Sequence, residues 1–135
     1  MGVHEILSPG HLLAAQGTHL LGEWYGCDFS AAALNDAYTL RAVCLFVTRD
    51  AGLQIVGDVF HQFEPQGVTG TVLLAESHLA IHTWPEARFV TVDVYVCNYL
   101  VDNTQKALKL YSALKGYFQP GRENFSRVPR GRKHE

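Results

Sequence analysis

Two spacings run along the chain: apolar residues at every second position, and apolar residues at steps of three and four. The clearest alternation covers 89–97. There Val90, Val92, Val94 and Val96 take one face and Thr91, Asp93, Tyr95 and Cys97 the other, as in a half-buried strand. Residues 18–25 and 53–63 also read as strands, the second with Ile55, Val59 and Phe63 in phase. Residues 69–76 and 78–82 are extended, with a break around Ser77. Pro65-Gln66-Gly67 marks one turn and Thr83-Trp84-Pro85-Glu86 another, because Pro85 biases Trp84 away from helix.

The longer step appears twice. Leu34, Ala37, Leu40 or Arg41, Cys44 and Val47 form one stripe, with Asp28 or Ser30 as cap and Gly52 as stop. Asp102-Asn103-Thr104 caps a second helix with Ala107, Leu108, Tyr111 and Leu114 inward, ending near Gly116. Residues 1–17 contain the turn signal Ser8-Pro9-Gly10 and read as a loose leader. The stretch 119–135 is rich in Gly, Pro and Arg and reads as a basic, solvated or loosely docked tail, with a partner-binding arm as the alternative. The order is β-α-β-β-β-α. It predicts an α+β two-layer sandwich: an antiparallel sheet of about four strands with two main helices on one face.

Composition narrows the function classes. At 135 residues and 47% hydrophobic, the chain suits a single domain with a collapsible core. A net charge of −2 argues against a nucleic-acid partner, which calls for a large basic surplus. No apolar stretch approaches the ~20 residues that cross a bilayer, so no membrane partner is expected. Three cysteines (Cys27, Cys44 and Cys97) suit reduced thiols better than a disulfide framework, which points to the cytoplasm.

Reactive side chains crowd into Glu76-Ser77-His78-Leu79-Ala80-Ile81-His82-Thr83-Trp84-Pro85-Glu86, with Cys97 following. Three readings compete on the residues alone. His78 and His82 share a strand face and would hold a metal with Cys97, but no tight ligand spacing accompanies them, and no metal is expected. Ser77 or Cys97 would act as a nucleophile beside a histidine base, without the strand–turn–helix serine motif of hydrolases. Two histidines and a cysteine also suit an ordinary interior, each satisfied by backbone partners.

The whole string resembles the short prokaryotic S-adenosylmethionine decarboxylase proenzymes, pyruvoyl-dependent enzymes that cut themselves. The resemblance extends to Gly17-Thr-His-Leu-Leu-Gly-Glu-Trp-Tyr-Gly-Cys-Asp28, to Phe60-His-Gln-Phe63 and to Gly67-Val-Thr-Gly70. It covers roughly residues 17–118. It implies that Ser77 attacks the carbonyl of Glu76 and that His82 removes the Ser77 Cα proton. Cleavage then gives pieces 1–76 and 77–135, of 76 and 59 residues. Residue 77 becomes a covalent pyruvoyl cofactor that takes the substrate amine as a Schiff base. Cys97 matches the proton donor; Phe63, Trp84 and Glu86 match the substrate-binding positions, and Thr69 supports processing. The family further implies a homodimer with sites near the interface, and a product that feeds spermidine synthesis.

The chain departs from that pattern at Thr69, where serine is usual, at Asn98, where glycine is usual, and at Thr18, where a basic residue is usual. Two alternatives stand beside the main expectation. One is a pyruvoyl decarboxylase of the same fold acting on ornithine or arginine; the other is a catalytically dead paralogue that regulates an active partner. Strict alternation sets Ser77 on the face opposite His82, so a bulge at the Glu76–Ser77 bond is expected to bring the two together.

Overall fold

The computed structural model describes residues 16–131. Six strands form one sheet, β1 (Gly17–Tyr25), β2 (Ile55–Gln62), β3 (Val68–Leu74), β4 (Ser77–Trp84), β5 (Phe89–Cys97) and β6 (Arg122–Arg130). Their order is β2-β3-β4-β5-β1-β6, with every neighbouring pair antiparallel. Two helices, α1 (Ala37–Asp50) and α2 (Thr104–Phe118), cover one face of the sheet. The α+β sandwich is thus as expected. The leader lies outside the described residues, apart from Gln16 and Gly17.

The period-two residues build the core. Leu20, Trp24, Val68, Val72, Leu79, Ile81 and the four valines of β5 all point under the helices and are buried there. Leu40, Cys44 and Val47 of α1 meet them from above, as do Ala107, Leu110, Leu114 and Phe118 of α2. Burial of such side chains stabilises by roughly 1.5–3 kcal/mol each, which is what holds the helices down. Among the described residues, the opposite face of the sheet carries no helix. It displays His19, Thr69, Thr71, Leu73, His78, Ala80, His82, Trp84 and Tyr95.

Several local expectations are corrected. The helix cap is Asp36, which accepts from Tyr38 N–H at 3.3 Å; Asp28 instead accepts from the Ser30 N–H and hydroxyl in the turn before Ala32–Leu34. In β2 the register shifts between Ile55 and Gly57, so Val59 faces solvent and Phe60 packs on the core in its place. Helix α2 runs past Gly116 to Phe118 and is capped by Gln119 in the left-handed conformation (φ +46°). Trp84 remains in strand, and the turn begins at Pro85.

The largest correction concerns the basic tail. Residues 122–130 are not loosely docked: they pair with β1 along its full length, from Gly17↔Arg130 to Tyr25↔Arg122. Most of β6 is exposed, so it has no apolar stripe to reveal it in sequence. The ladder holds it, together with Glu123. The Glu123 carboxylate accepts from Tyr111 Oη at 2.6 Å, Lys115 Nζ at 2.7 Å and Trp24 Nε1 at 3.2 Å. The sheet therefore has six strands where about four were expected, in the order β-α-β-β-β-β-α-β.

Candidate active site

A two-residue turn, Ala75-Glu76, joins β3 to β4, and Ser77 opens β4, paired with Leu74 on one side and Val96 on the other. The φ of Ser77 is +153°, a conformation that side chains rarely adopt and that persists only where the surroundings impose it. Here they do. Ala75 N–H donates to the Gln54 carbonyl at 2.8 Å, and Gln54 N–H donates to the Glu76 carboxylate at 3.1 Å. From the other side, Cys97 N–H donates to the Glu76 carbonyl at 2.7 Å. The backbone at Ser77 is thus strained, and the Glu76 carbonyl oxygen already rests on a donor.

The Ser77 hydroxyl lies 3.3 Å from His78 Nδ1. The His78 ring is packed on the open face of the sheet with Tyr95 and His19, at centroid separations of 5.8 and 6.5 Å. Arg130 of β6 donates to His19 Nδ1 at 3.0 Å and lies over the Tyr95 ring. Burial pushes the His19 imidazole below its usual value; Asp93 opposes this, while Arg130 and His78 add to it.

Cys97 ends β5 with its side chain exposed. It borders a cavity of about 400 Å³ together with Ala75, Glu76, Tyr99, Asn103 and Lys106. The thiol, the Glu76–Ser77 turn and the start of α2 therefore meet at one end of the sheet. Among the described residues no three of His, Cys, Asp and Glu come together as a metal site.

The remaining predicted residues gather elsewhere. Phe63, Thr69, His82, Trp84 and Glu86 border a second cavity of about 340 Å³. Thr69 and His82 sit opposite each other across β3 and β4, with Thr69 Oγ1 3.1 Å from His82 Nδ1. The Trp84 ring packs on Phe89 at 5.2 Å and lies 6.3 Å from His82. Phe63 stands edge-on to His61 at 4.6 Å and is 45% exposed, so it is not plain core. Glu86 is in the short turn Pro85–Ala87.

These two clusters lie at opposite ends of β4. Five residue steps of extended chain separate Ser77 from His82, roughly 16 Å at the usual rise per residue. The chain breaks at the Ala75-Glu76 turn, but the expected bulge is absent: the register runs unshifted from Ser77, which lies beside His78 and not beside His82 within one chain. Sequence alternation fixes a face, not a place along the strand. A further group was missed entirely. Asn103, expected only as part of a helix cap, donates from Nδ2 to the Cys97 carbonyl at 2.8 Å. Of the departures from the family pattern, Thr18 and Asn98 touch, with Asn98 Nδ2 donating to Thr18 Oγ1 at 3.0 Å.

The fold and these clusters define a class: an antiparallel α+β sandwich with a serine of positive φ just after a tight turn and Cys97 hydrogen-bonded to the carbonyl before it. Comparison with known proteins gives the family. The family described as S-adenosylmethionine decarboxylase matches residues 18–131, and the chain belongs to it. It is 46% identical over 88 residues to the S-adenosylmethionine decarboxylase proenzyme of Carboxydothermus hydrogenoformans, covering 65% of this chain and 68% of that protein. The proenzyme of Caldicellulosiruptor saccharolyticus is 40% identical over 101 residues, covering 75% of this chain and 80% of that one. Among solved structures, the adenosylmethionine decarboxylase of Aquifex aeolicus superposes with a TM-score of 0.81 at 34% identity, covering 90% of this chain and 96% of that one. The Trypanosoma brucei enzyme shares the fold, with a TM-score of 0.58 at 20% identity over 44% of its chain.

Proposed function

We propose that this chain is a self-processing S-adenosylmethionine decarboxylase proenzyme, acting in the cytoplasm and supplying spermidine synthesis. The observation that carries the reading is the Glu76 carbonyl, held at 2.7 Å by Cys97 N–H next to a serine of positive φ. Ser77 Oγ attacks the Glu76 carbonyl carbon. The oxygen that gains negative charge already has its donor, and such preplaced donors are among the largest rate contributions. The C–N bond breaks, the serine nitrogen takes up a proton, and an ester links the two residues. A base then removes the Ser77 Cα proton and the Cβ–Oγ bond breaks, leaving Glu76 as a carboxylate and residue 77 as dehydroalanine. Tautomerisation, addition of water and loss of ammonia give a pyruvoyl group.

That group supplies an electrophilic ketone that accepts the electrons released when carbon dioxide leaves. Ser77 fits the role because it directly follows Glu76, which borders the same cavity as Cys97. The Cys97 thiol, exposed at that cavity, returns a proton to the substrate carbon. Phe63 and Trp84 offer aromatic faces to an adenine ring and to a sulfonium cation, and Glu86 offers a carboxylate to the ribose hydroxyls.

The separation of the clusters supports one further element of the reading, a homodimer. His82, the proton-abstracting base, and Thr69 reach Ser77 from a second copy. The His82 cluster lies on the open sheet face and the Glu76–Cys97 cluster at the end of the sheet, and a two-fold arrangement presents each end of β4 to the other end of its partner.

Mass spectrometry of the purified protein tests the cut: fragments of 76 and 59 residues are expected, the second with a keto-blocked start. Labelled carbon dioxide is expected from S-adenosylmethionine and not from ornithine or arginine. Ser77→Ala should stay whole. An intact wild-type chain without turnover would instead favour the regulatory paralogue.

A further inference from the structure

A chain of hydrogen bonds runs from the Glu76 carbonyl to the interior. Cys97 N–H holds that carbonyl at 2.7 Å, and the carbonyl of Cys97 itself accepts from Asn103 Nδ2 at 2.8 Å. The backbone N–H of Asn103 donates in turn to Asn98 Oδ1 at 2.8 Å. Asn98 Nδ2 donates to Thr18 Oγ1 at 3.0 Å and to Thr104 Oγ1 at 3.2 Å, and these two hydroxyls lie 2.9 Å apart. Asn98 N–H is bound to the Gln16 carbonyl at 2.6 Å. Thr18, Asn103 and Thr104 are buried, so the Thr18–Thr104 contact is shielded from water and the Asn98 and Asn103 bonds are partly so.

Nothing about core packing demands this arrangement. A loop leading from a strand to a helix needs caps, and Thr104 N–H already has one in Asp102 Oδ1 at 2.9 Å. Asn103 turns its side chain away from the helix N–H groups, towards the Cys97 peptide. That peptide is consequently fixed at both ends: its oxygen by α2 and its neighbouring N–H by the scissile carbonyl. An N–H that stabilises a developing oxyanion is effective only when it is held before the charge forms.

We infer that Asn103, braced by Asn98 and Thr18, is a positioning residue for self-cleavage, aiming the Cys97 N–H at the oxygen that becomes the oxyanion. The inference rests on the self-cleavage reading above. Asn98 and Asn103 touch neither Ser77 nor Glu76 directly and act through the Cys97 backbone. Their effect belongs to the acyl shift, not to the later elimination or to decarboxylation.

The test uses freshly translated full-length precursor, chased with and without neutral hydroxylamine, which cuts esters and leaves amides. Asn103→Asp removes the donor while keeping a residue favoured at a helix start. It should slow cutting by about tenfold or more, since losing an oxyanion donor outright costs roughly 100- to 1,000-fold. Hydroxylamine should not restore it, because the ester is what fails to form. Thr18→Val, which keeps the shape and removes only the brace, should slow cutting by a smaller factor at an unchanged melting temperature, and it decides the matter if Asn103→Asp does not fold. Cutting at the wild-type rate in both variants would overturn the inference, as would slow cutting that hydroxylamine rescues. A wild-type precursor that never cuts would instead sink the underlying reading.

Discussion

Cys97 offers two different groups to one cavity, a thiol and a backbone N–H, and substitution separates them. Cys97→Ala deletes only the thiol, so the bond to the Glu76 carbonyl survives. Cleavage should continue near the wild-type rate while carbon dioxide release falls by about 100-fold or more, the usual worth of a placed proton donor. Equal loss of both would contradict the division. The other two thiols are inert by burial, which pushes Cys27 up to about 11 and Cys44 up to about 12. A disulfide reagent at pH 8 should therefore label one thiol per native chain, and none in Cys97→Ser until the protein is unfolded. Candidate residues 76, 77 and 82 stood out in sequence because they sit in one dense motif, and Cys97 follows it at the end of the clearest strand. The partners of Ser77 were not legible. His78 is its neighbour in the chain, Asn103 reaches the site only through the Cys97 backbone, and neither kind of contact leaves a spacing signal.

Strands with one buried face announced themselves, since alternation is a direct record of burial; β5 has the bounds the valines predict. Strand β6 did not, for the opposite reason: its backbone pairs, but its side chains stay mostly in water. Its anchor is Glu123. Burial alone would raise that carboxyl, but hydrogen bonds from Lys115, Tyr111 and Trp24, with the Lys115 charge, hold it below its usual value. A depressed folded value means that the ionised anchor stabilises above the ordinary glutamate range and that this contribution is lost as pH falls through the folded value. Acid should thus release β6 first, seen as early amide exchange over 122–130. Glu123→Gln should weaken the edge by about 1–3 kcal/mol at neutral pH, read by chemical denaturation, and flatten the acid dependence. Trp24 is fully buried under α2 beside Tyr111 and Phe118. Truncating it to Ala should cost about 3–5 kcal/mol by the same measurement.

At the scale of the molecule, the decisive fact is that the candidate residues fall in two clusters at the far ends of β4, where the sequence implied one site. Co-expression of two inactive variants tests the consequence. In the proposed shared site, Ser77→Ala cannot be cut and His82→Ala lacks the base, yet a mixed dimer would bring the serine of one copy to the histidine of the other. The His82→Ala chain should be uncut alone and cut in the mixture, by electrophoresis of separately tagged copies; failure to cut in the mixture would exclude sharing between copies. The sandwich class was readable from the order of elements, whereas the pairing order was not, because β1 and β6 meet across nearly the whole chain. That order governs the fate of the products. The first piece carries β1, β2, β3 and α1, the second β4, β5, α2 and β6, and β1 lies between β5 and β6. The fragments are interleaved, so a nicked molecule cannot come apart without stripping three complete ladders, β3–β4, β5–β1 and β1–β6. Once denatured, it must reassemble by a bimolecular encounter whose yield depends on concentration, whereas the uncut precursor refolds as a single chain.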